Sequence, residues 1–199
     1  MKLSHYRILL TAIAAIGTFF LLFPTLSLTI RIPQSESISE LWLLGPEHMA
    51  NNYPFDIRSG VDYSIYLGVG NRRGSSARYS VLVKLRNQIE PSPVNSTSSS
   101  LDPVYEYRFF VSKDDILEKR VVFSFSNISV ENNQTIVQSL VVDGHGYAVN
   151  KVLTWDGDRK GFYCQLFFEL YLYDRSILGF QYDSRFVALW LNVTSPTMA

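Results

Sequence analysis

The chain has one cysteine, Cys164. It closes no internal disulfide, so any exported part of it is held together by its core alone. Cys164 itself lies in the apolar run from Gly161 to Phe167 and reads as a small core residue. Histidine is almost as scarce: of three, only His48 and His145 lie beyond the N-terminal apolar segment. Neither a Cys–His pair nor a Ser-His-Asp order is signalled by so few. An excess of one charge is also missing, because eighteen basic and eighteen acidic side chains cancel. That balance leaves no basic stripe for nucleic acid and no acidic tail. After Ile30 no segment shows a capped helical period. Gly68-x-Gly70-x-x-x-Gly74 is not a nucleotide fingerprint, since no helix follows it, and no cofactor is implied.

What is present begins with one long uncharged run, Ile8 to Ile30. At about 1.5 Å rise per residue it spans roughly 34 Å, against a hydrocarbon core of about 30 Å. Lys2, His5 and Arg7 precede it, which predicts a cytoplasmic N-terminus over residues 1–7. Residues 8–30 are then a transmembrane signal-anchor in contact with the lipid bilayer, and 31–37 a juxtamembrane linker. Residues 38–195 form an extracytoplasmic domain of ordinary size. The rival reading, a cleaved signal peptide, lacks a small-x-small site and puts the same domain outside. With the uncleaved anchor the expected address is the cell membrane, single-pass.

The domain reads as strands. Aromatic residues make up 14% of the chain, with twelve Tyr and thirteen Phe, and such side chains favour half-buried pleated surfaces. Ser39 to Leu44 ends at the turn signal Gly45-Pro46. Asp62 to Val69 and Arg78 to Arg86 alternate apolar with polar, and read as a hairpin with one wet face. Asn71 and Gly74 suit positive φ in its loop. Gln88 to Pro103, rich in Pro, Ser, Thr and Asn, reads as a long exposed loop. Tyr105–Val111, Lys119–Phe125, Thr135–Val142, Tyr147–Trp155 and Arg185–Val193 are further strands. Phe162 to Tyr173 is the most apolar and is expected to be central and buried on both faces. Short strands without alternating helices predict an all-β, immunoglobulin-like antiparallel β-sandwich.

Candidate chemistry is sparse. Four N-x-[ST] sequons, at Asn95, Asn127, Asn133 and Asn192, are glycan acceptors in an exported domain. Asp143-Gly144-His145 reads as a hairpin turn, because a metal needs three or four converging ligands. Asp156-Gly157-Asp158 lacks the later acid of a calcium loop and reads as a polar turn. Glu40, Glu47, Glu106 and Glu169 are the acids a glycan-active enzyme would draw on; Glu169, within an apolar strand, needs a partner such as an Arg if buried. In the last strand, core-facing Val187, Leu189 and Leu191 leave Phe186 and Trp190 outward as a candidate interaction surface.

Two blocks carry a resemblance. One is Leu41-Trp42-Leu43-Leu44-Gly45-Pro46-Glu47 with Tyr53-Pro54, then Gly60 to Val69 with Asn71. The other is Phe167 to Tyr173 leading to Arg185 and Leu189-Trp190-Leu191. Together they resemble the domain-of-unknown-function 1616 family, mostly archaeal membrane proteins with an extracytoplasmic β-sandwich. Arg72-Arg73 departs from the acidic-aromatic pair that the family tends to carry after the Asn. The resemblance implies fold and address but no activity. The expected role is non-enzymatic: a structural or accessory interaction module with a protein partner in the membrane or envelope. The alternative is a carbohydrate-binding module or glycan-active enzyme.

Overall fold

A computed structural model describes residues 6–8, 10–19, 37–131 and 133–194. The chain divides into two units, Met1–Ser37 and Ile38–Ala199. In the first, the described residues between 6 and 19 are helical. Thr11 and Thr18 return their hydroxyls to the carbonyls of Arg7 and Ala14, so they add no exposed polarity to the helix. Among the described residues no helix is long and apolar enough to cross a membrane. The expected anchor from residue 20 to 30 and the linker through 36 lie outside the described residues.

The second unit is built from ten strands: β1 (Ile38–Leu44), β2 (Asp56–Arg58), β3 (Tyr63–Arg72), β4 (Ala77–Arg86), β5 (Tyr105–Val111), β6 (Ile116–Glu131), β7 (Gln134–Val142), β8 (His145–Asp156), β9 (Gly161–Asp174) and β10 (Gly179–Thr194). They form one curled sheet in the order β1-β3-β6-β7-β8-β9-β10-β2, with β5-β4 branching onto β9. The curl has two halves, hinged where Trp155 and Asp156 of β8 pair with Phe162 and Gly161 of β9. The sheet is mixed rather than wholly antiparallel. Asn192–Thr194 of β10 runs parallel to Asp56–Arg58, a short strand that carries no clear alternation of its own.

Both halves contribute to a single core. Ile65, Leu67 and Val69 of β3, with Phe123 and Phe125 of β6, meet Val81 and Val83 of β4 and Leu166 and Phe168 of β9. Each such side chain stabilises the fold by about 1.5–3 kcal/mol on full burial. β9 is buried on both faces from Gly161 to Leu170, as its unbroken apolar run predicts. Cys164 is wholly buried within it, and burial pushes its thiol pKa far up. The tight turn between β7 and β8 is Asp143-Gly144, both at positive φ, the backbone of a type I′ hairpin.

Three expectations fail, for related reasons. β3 and β4 do not pair; β3 lies between β1 and β6, and β4 between β5 and β9. The apolar stripes of these strands face each other across the core instead of standing side by side. Asn71 is not a loop residue at positive φ but a wholly buried one at the end of β3. Its Nδ2 donates to the carbonyls of Ser75, Val111 and Ser112 at 2.8, 3.0 and 3.1 Å, and its Oδ1 accepts from Tyr79 at 3.2 Å. It thereby ties the β3–β4 arch to the end of β5. Third, the polar face of β4 is not wet: Ser80, Lys84 and Arg86 are all buried.

Candidate functional site

What covers that polar face is the segment from Asn87 to Val104. It is strapped down by hydrogen bonds from both its main chain and its side chains. Asn87 Oδ1 accepts from the amides of Ile89 and Glu90, and Gln88 Nε2 donates to Thr154 O at 2.8 Å. Glu90 receives Lys151 through its carboxylate and Arg86 through its carbonyl. Farther on, Tyr182 donates to Val94 O at 2.9 Å and Val104 N to Val83 O at 2.7 Å. The stretch is the exposed loop that its composition predicts, and its inner side also lies as a lid on the outer face of β4 and β9; Asn95 is exposed.

Beneath the lid, Lys84 Nζ stands 2.9 Å from Glu169 Oε2, with side-chain exposures of 3% and 0%. Ser99 completes the set: its N–H donates to Glu169 at 2.7 Å and its carbonyl accepts from Lys84 at 2.7 Å. Tyr171 adds a third donor to the carboxylate at 3.2 Å. Every strong bond of the pair is thus met within the protein, which suits a structural lock rather than a waiting acid.

The more accessible feature lies where the curl fails to close. β1 carries a ladder only to β3, and β10 meets β2 only at Asn192–Thr194. From Arg185 to Leu191 the far edge of β10 has no ladder among the described residues. An open groove of about 600 Å³ follows that edge, lined by Leu43, Tyr53, Pro54, Phe55 and the consecutive residues Val187 to Trp190. Four consecutive residues alternate in direction, so the lining is the strand's edge and not one face of it. Tyr53 is fixed by donating to Leu43 O at 2.8 Å, and Phe55 lies 6.0 Å from Tyr163, ring to ring. Trp190 is 38% exposed and Phe55 48%. The Arg86 and Arg159 guanidiniums stand 5.1 and 5.9 Å from the Trp190 ring centroid, a cation–π arrangement that holds the indole in place.

Of the two residues expected to mark an interaction surface, Trp190 lines this groove. Phe186 is half-buried, paired in register with Glu169, and does not line it. Tyr53 and Pro54 belong to the first block that carries the family resemblance. Their place beside Trp190 depends on the parallel β2–β10 pairing, which the sequence does not signal.

The remaining candidates are dispersed. Asn95, Asn127 and Asn133 are exposed, the last two at positive φ. Asn192 is half-buried, with Oδ1 accepting from Phe162 N at 3.1 Å and Nδ2 donating to Asp56 at 2.8 Å. Asp143 is a pin: it accepts from Val122 N and Tyr107 Oη, each at 2.9 Å, while His145 faces its carbonyl. Asp156 accepts from the amides of Asp158 and Arg159, each at 3.0 Å, a turn closed on itself. Among the described residues no three His, Cys, Asp or Glu side chains converge as metal ligands would.

A search among curated proteins finds no match. Among solved structures, one similar chain comes from a human seminal plasma complex, that of zinc 2-glycoprotein with prolactin inducible protein. It shares 9% identity over 81% of this chain and 99% of its own, with a TM-score of 0.38, too slight a likeness to bear on fold or function. The family comparison reaches further. A family model described as a domain of unknown function, DUF1616, matches residues 32–149. That span holds the Trp42–Pro46 strand end, Tyr53-Pro54 and Asn71, and stops short of the Trp190 strand. With more than half of its length matched, the chain belongs to the DUF1616 family.

Proposed function

We propose that this protein is a membrane-anchored accessory module that holds a protein partner along the free edge of β10. In this reading the run from Ile8 to Ile30 is the anchor, and the β unit is an immunoglobulin-like sandwich on the extracytoplasmic side. The partner supplies an extended segment that adds to the sheet, with an apolar side chain set between Tyr53, Phe55 and Trp190. The observation that carries this is the coincidence of an unladdered strand edge with an aromatic groove along the same four residues. Main-chain bonds would give such a site affinity and the groove its selectivity. The exposed sequons at Asn95, Asn127 and Asn133 carry glycans in this picture, away from the lining of the groove.

The test places a photo-crosslinking benzoylphenylalanine at position 190 of the full chain in its native membrane. One discrete adduct, lost when Ala188→Arg is added, is expected. No adduct, together with a monodisperse monomer in mild detergent, overturns the reading. Protease added to sealed, right-side-out cells should remove the β unit; protection there, with digestion in inverted vesicles, reverses the orientation.

A further inference from the structure

The lid over β4 and β9 covers the outer face only in part. At the end of β9 remote from Trp190, beside the β3–β4 and β9–β10 connections, that face is open. Gln165 pairs with Trp190 and Tyr173 with Phe180, so the two ends lie roughly 26 Å apart at about 3.3 Å per strand residue. Here a groove of about 610 Å³ is lined by Arg73, Arg78 and Arg175 with Phe110 and Tyr173, and no carboxylate contributes to its wall.

The three arginines are not equivalent. Arg73 faces Asp183 at 3.6 Å, which offsets its charge. Arg78 and Arg175 are exposed and form no ion pair among the described residues. The nearest acid in sequence, Asp174, is turned into its own loop, accepting from Ser176 N and Oγ at 2.7 Å each. Two guanidiniums without an ion pair among the described residues therefore border one concavity. Arg175 and Tyr173 also line an adjoining groove with Asp174 and Asp183. Phe110 is the register partner of Arg78 across β4–β5 and is 63% exposed, an unusual position for so large an apolar ring. Tyr173 is held edge-on by Phe180, 5.4 Å between ring centroids.

Planar guanidiniums recognise carboxylate, sulfate or phosphate oxygens in pairs. The aromatic rings beside them offer a face for apolar C–H surface. A ligand that satisfies both has an oxyanion on a ring with an apolar face. The chain's zero net charge argues against a polyphosphate backbone, which needs a basic stripe well beyond two free arginines. We infer that this groove binds an acidic oligosaccharide, with Arg78 and Arg175 on the anion and Phe110 and Tyr173 against the sugar ring. The inference is independent of partner docking at the β10 edge, because no residue is shared between the two grooves.

Isothermal titration of the full chain in detergent with a galacturonate hexasaccharide tests it, with galactohexaose and inorganic sulfate as the other arms. The expected result is saturable binding of the acidic sugar alone, weakened by added salt. Arg175→Ala, in an exposed turn, should weaken it about tenfold or more, the loss of one charge-assisted pair. Phe110→Ala should weaken it too, with an unchanged circular dichroism spectrum in both variants. The inference is overturned by equal binding of galactohexaose, by sulfate binding as tightly as the sugar, by insensitivity to Arg175→Ala, or by no binding of galacturonate. Anionic vesicles that compete as well as the hexasaccharide would likewise overturn it in favour of a lipid headgroup.

Discussion

Lys84 and Glu169 sit 2.9 Å apart on neighbouring strands, on what would be the solvent face of the sheet, and neither side chain reaches solvent. Ser99 bonds both partners through its own N–H and carbonyl, so the ion pair and the lid are a single structure. Removing either charge strands the other beneath the lid. Lys84→Ala or Glu169→Ala alone should destabilise the β unit by about 3–5 kcal/mol. The volume-matched double variant Lys84→Met with Glu169→Leu should recover most of that loss, since the desolvation cost leaves with the charges. Urea midpoints of the three proteins check this; a double variant no better than the singles refutes it.

Asn71 offers a second lever. Wholly buried, it donates to three carbonyls and accepts from Tyr79. Asn71→Ala leaves several buried polar groups unpaired, at about 1–3 kcal/mol each. The expected loss is at least about 2 kcal/mol, with faster amide exchange at the β3–β4 arch and the end of β5. Asn71→Asp should be no rescue, because a carboxylate cannot donate to carbonyls.

Nine of the ten strands were legible in the sequence, though β6 and β10 run up to six residues past their predicted bounds and β2 was not read. Tyr105–Val111 is found as predicted, and Phe162–Tyr173 lies within Gly161–Asp174. Alternation names the faces of a strand but not its neighbours, so β3 and β4, adjacent in sequence, were read as partners when they belong to opposite halves. The same limit hid the lid. Arg78, Ser80, Lys84 and Arg86 have the letters of a solvated face, and only the folded path of residues 87–104 shows that Lys84 and Arg86 are covered. Ser80 is buried and donates to Glu106 of β5. Glu169 did announce itself: an acid in an unbroken apolar run requires a partner, and the expected arginine turned out to be Lys84. The aromatic groove was half legible, through Trp190, because the parallel β2 pairing that completes it leaves no pattern in three residues.

Gly68 is held to its size by an indole. A Cβ there would come within 2.0 Å of Trp42 Cε2, and Trp42 is the register partner of Gly68 while donating to Glu118 at 3.2 Å. Gly68→Ala should therefore cost about 1–3 kcal/mol, the usual penalty of overpacking. It should also displace Trp42 and break its bond to Glu118. In a Trp42→Ala background the same substitution should cost far less. A double-mutant cycle read by urea denaturation measures this coupling; additive effects would mean the indole moves aside freely.

Alkaline pH probes the tyrosines. Burial raises the phenol pKa of Tyr79, Tyr107, Tyr171 and Tyr182, the last to about 12; in Tyr107 the Asp143 carboxylate that accepts its hydroxyl pushes the same way. Below about pH 10 these groups are neutral in both folded and unfolded chain, so their contribution is intact. Above it the unfolded chain loses protons first, and stability falls as pH rises toward about 12. Tyr107→Phe should lower stability by about 1 kcal/mol at neutral pH, for the lost hydrogen bond, yet give a shallower alkaline decline. Melting temperatures across the range from neutral to alkaline separate the two effects.

The four sequons are separable by what their amides already do. Asn95, Asn127 and Asn133 are exposed. Asn192 accepts from Phe162 N and donates to Asp56, bridging β9, β10 and the strand beside it. In a glycosylating host, Asn95→Gln, Asn127→Gln and Asn133→Gln should each remove one glycan from the apparent mass with little change in stability. Asn192→Gln should leave the mass unchanged, yet its longer side chain misplaces both bonds and should cost about 1–3 kcal/mol. A mass shift on Asn192→Gln would show that the sequon is modified before β10 docks against β2, and that the Asn192–Asp56 bond is absent from the mature protein.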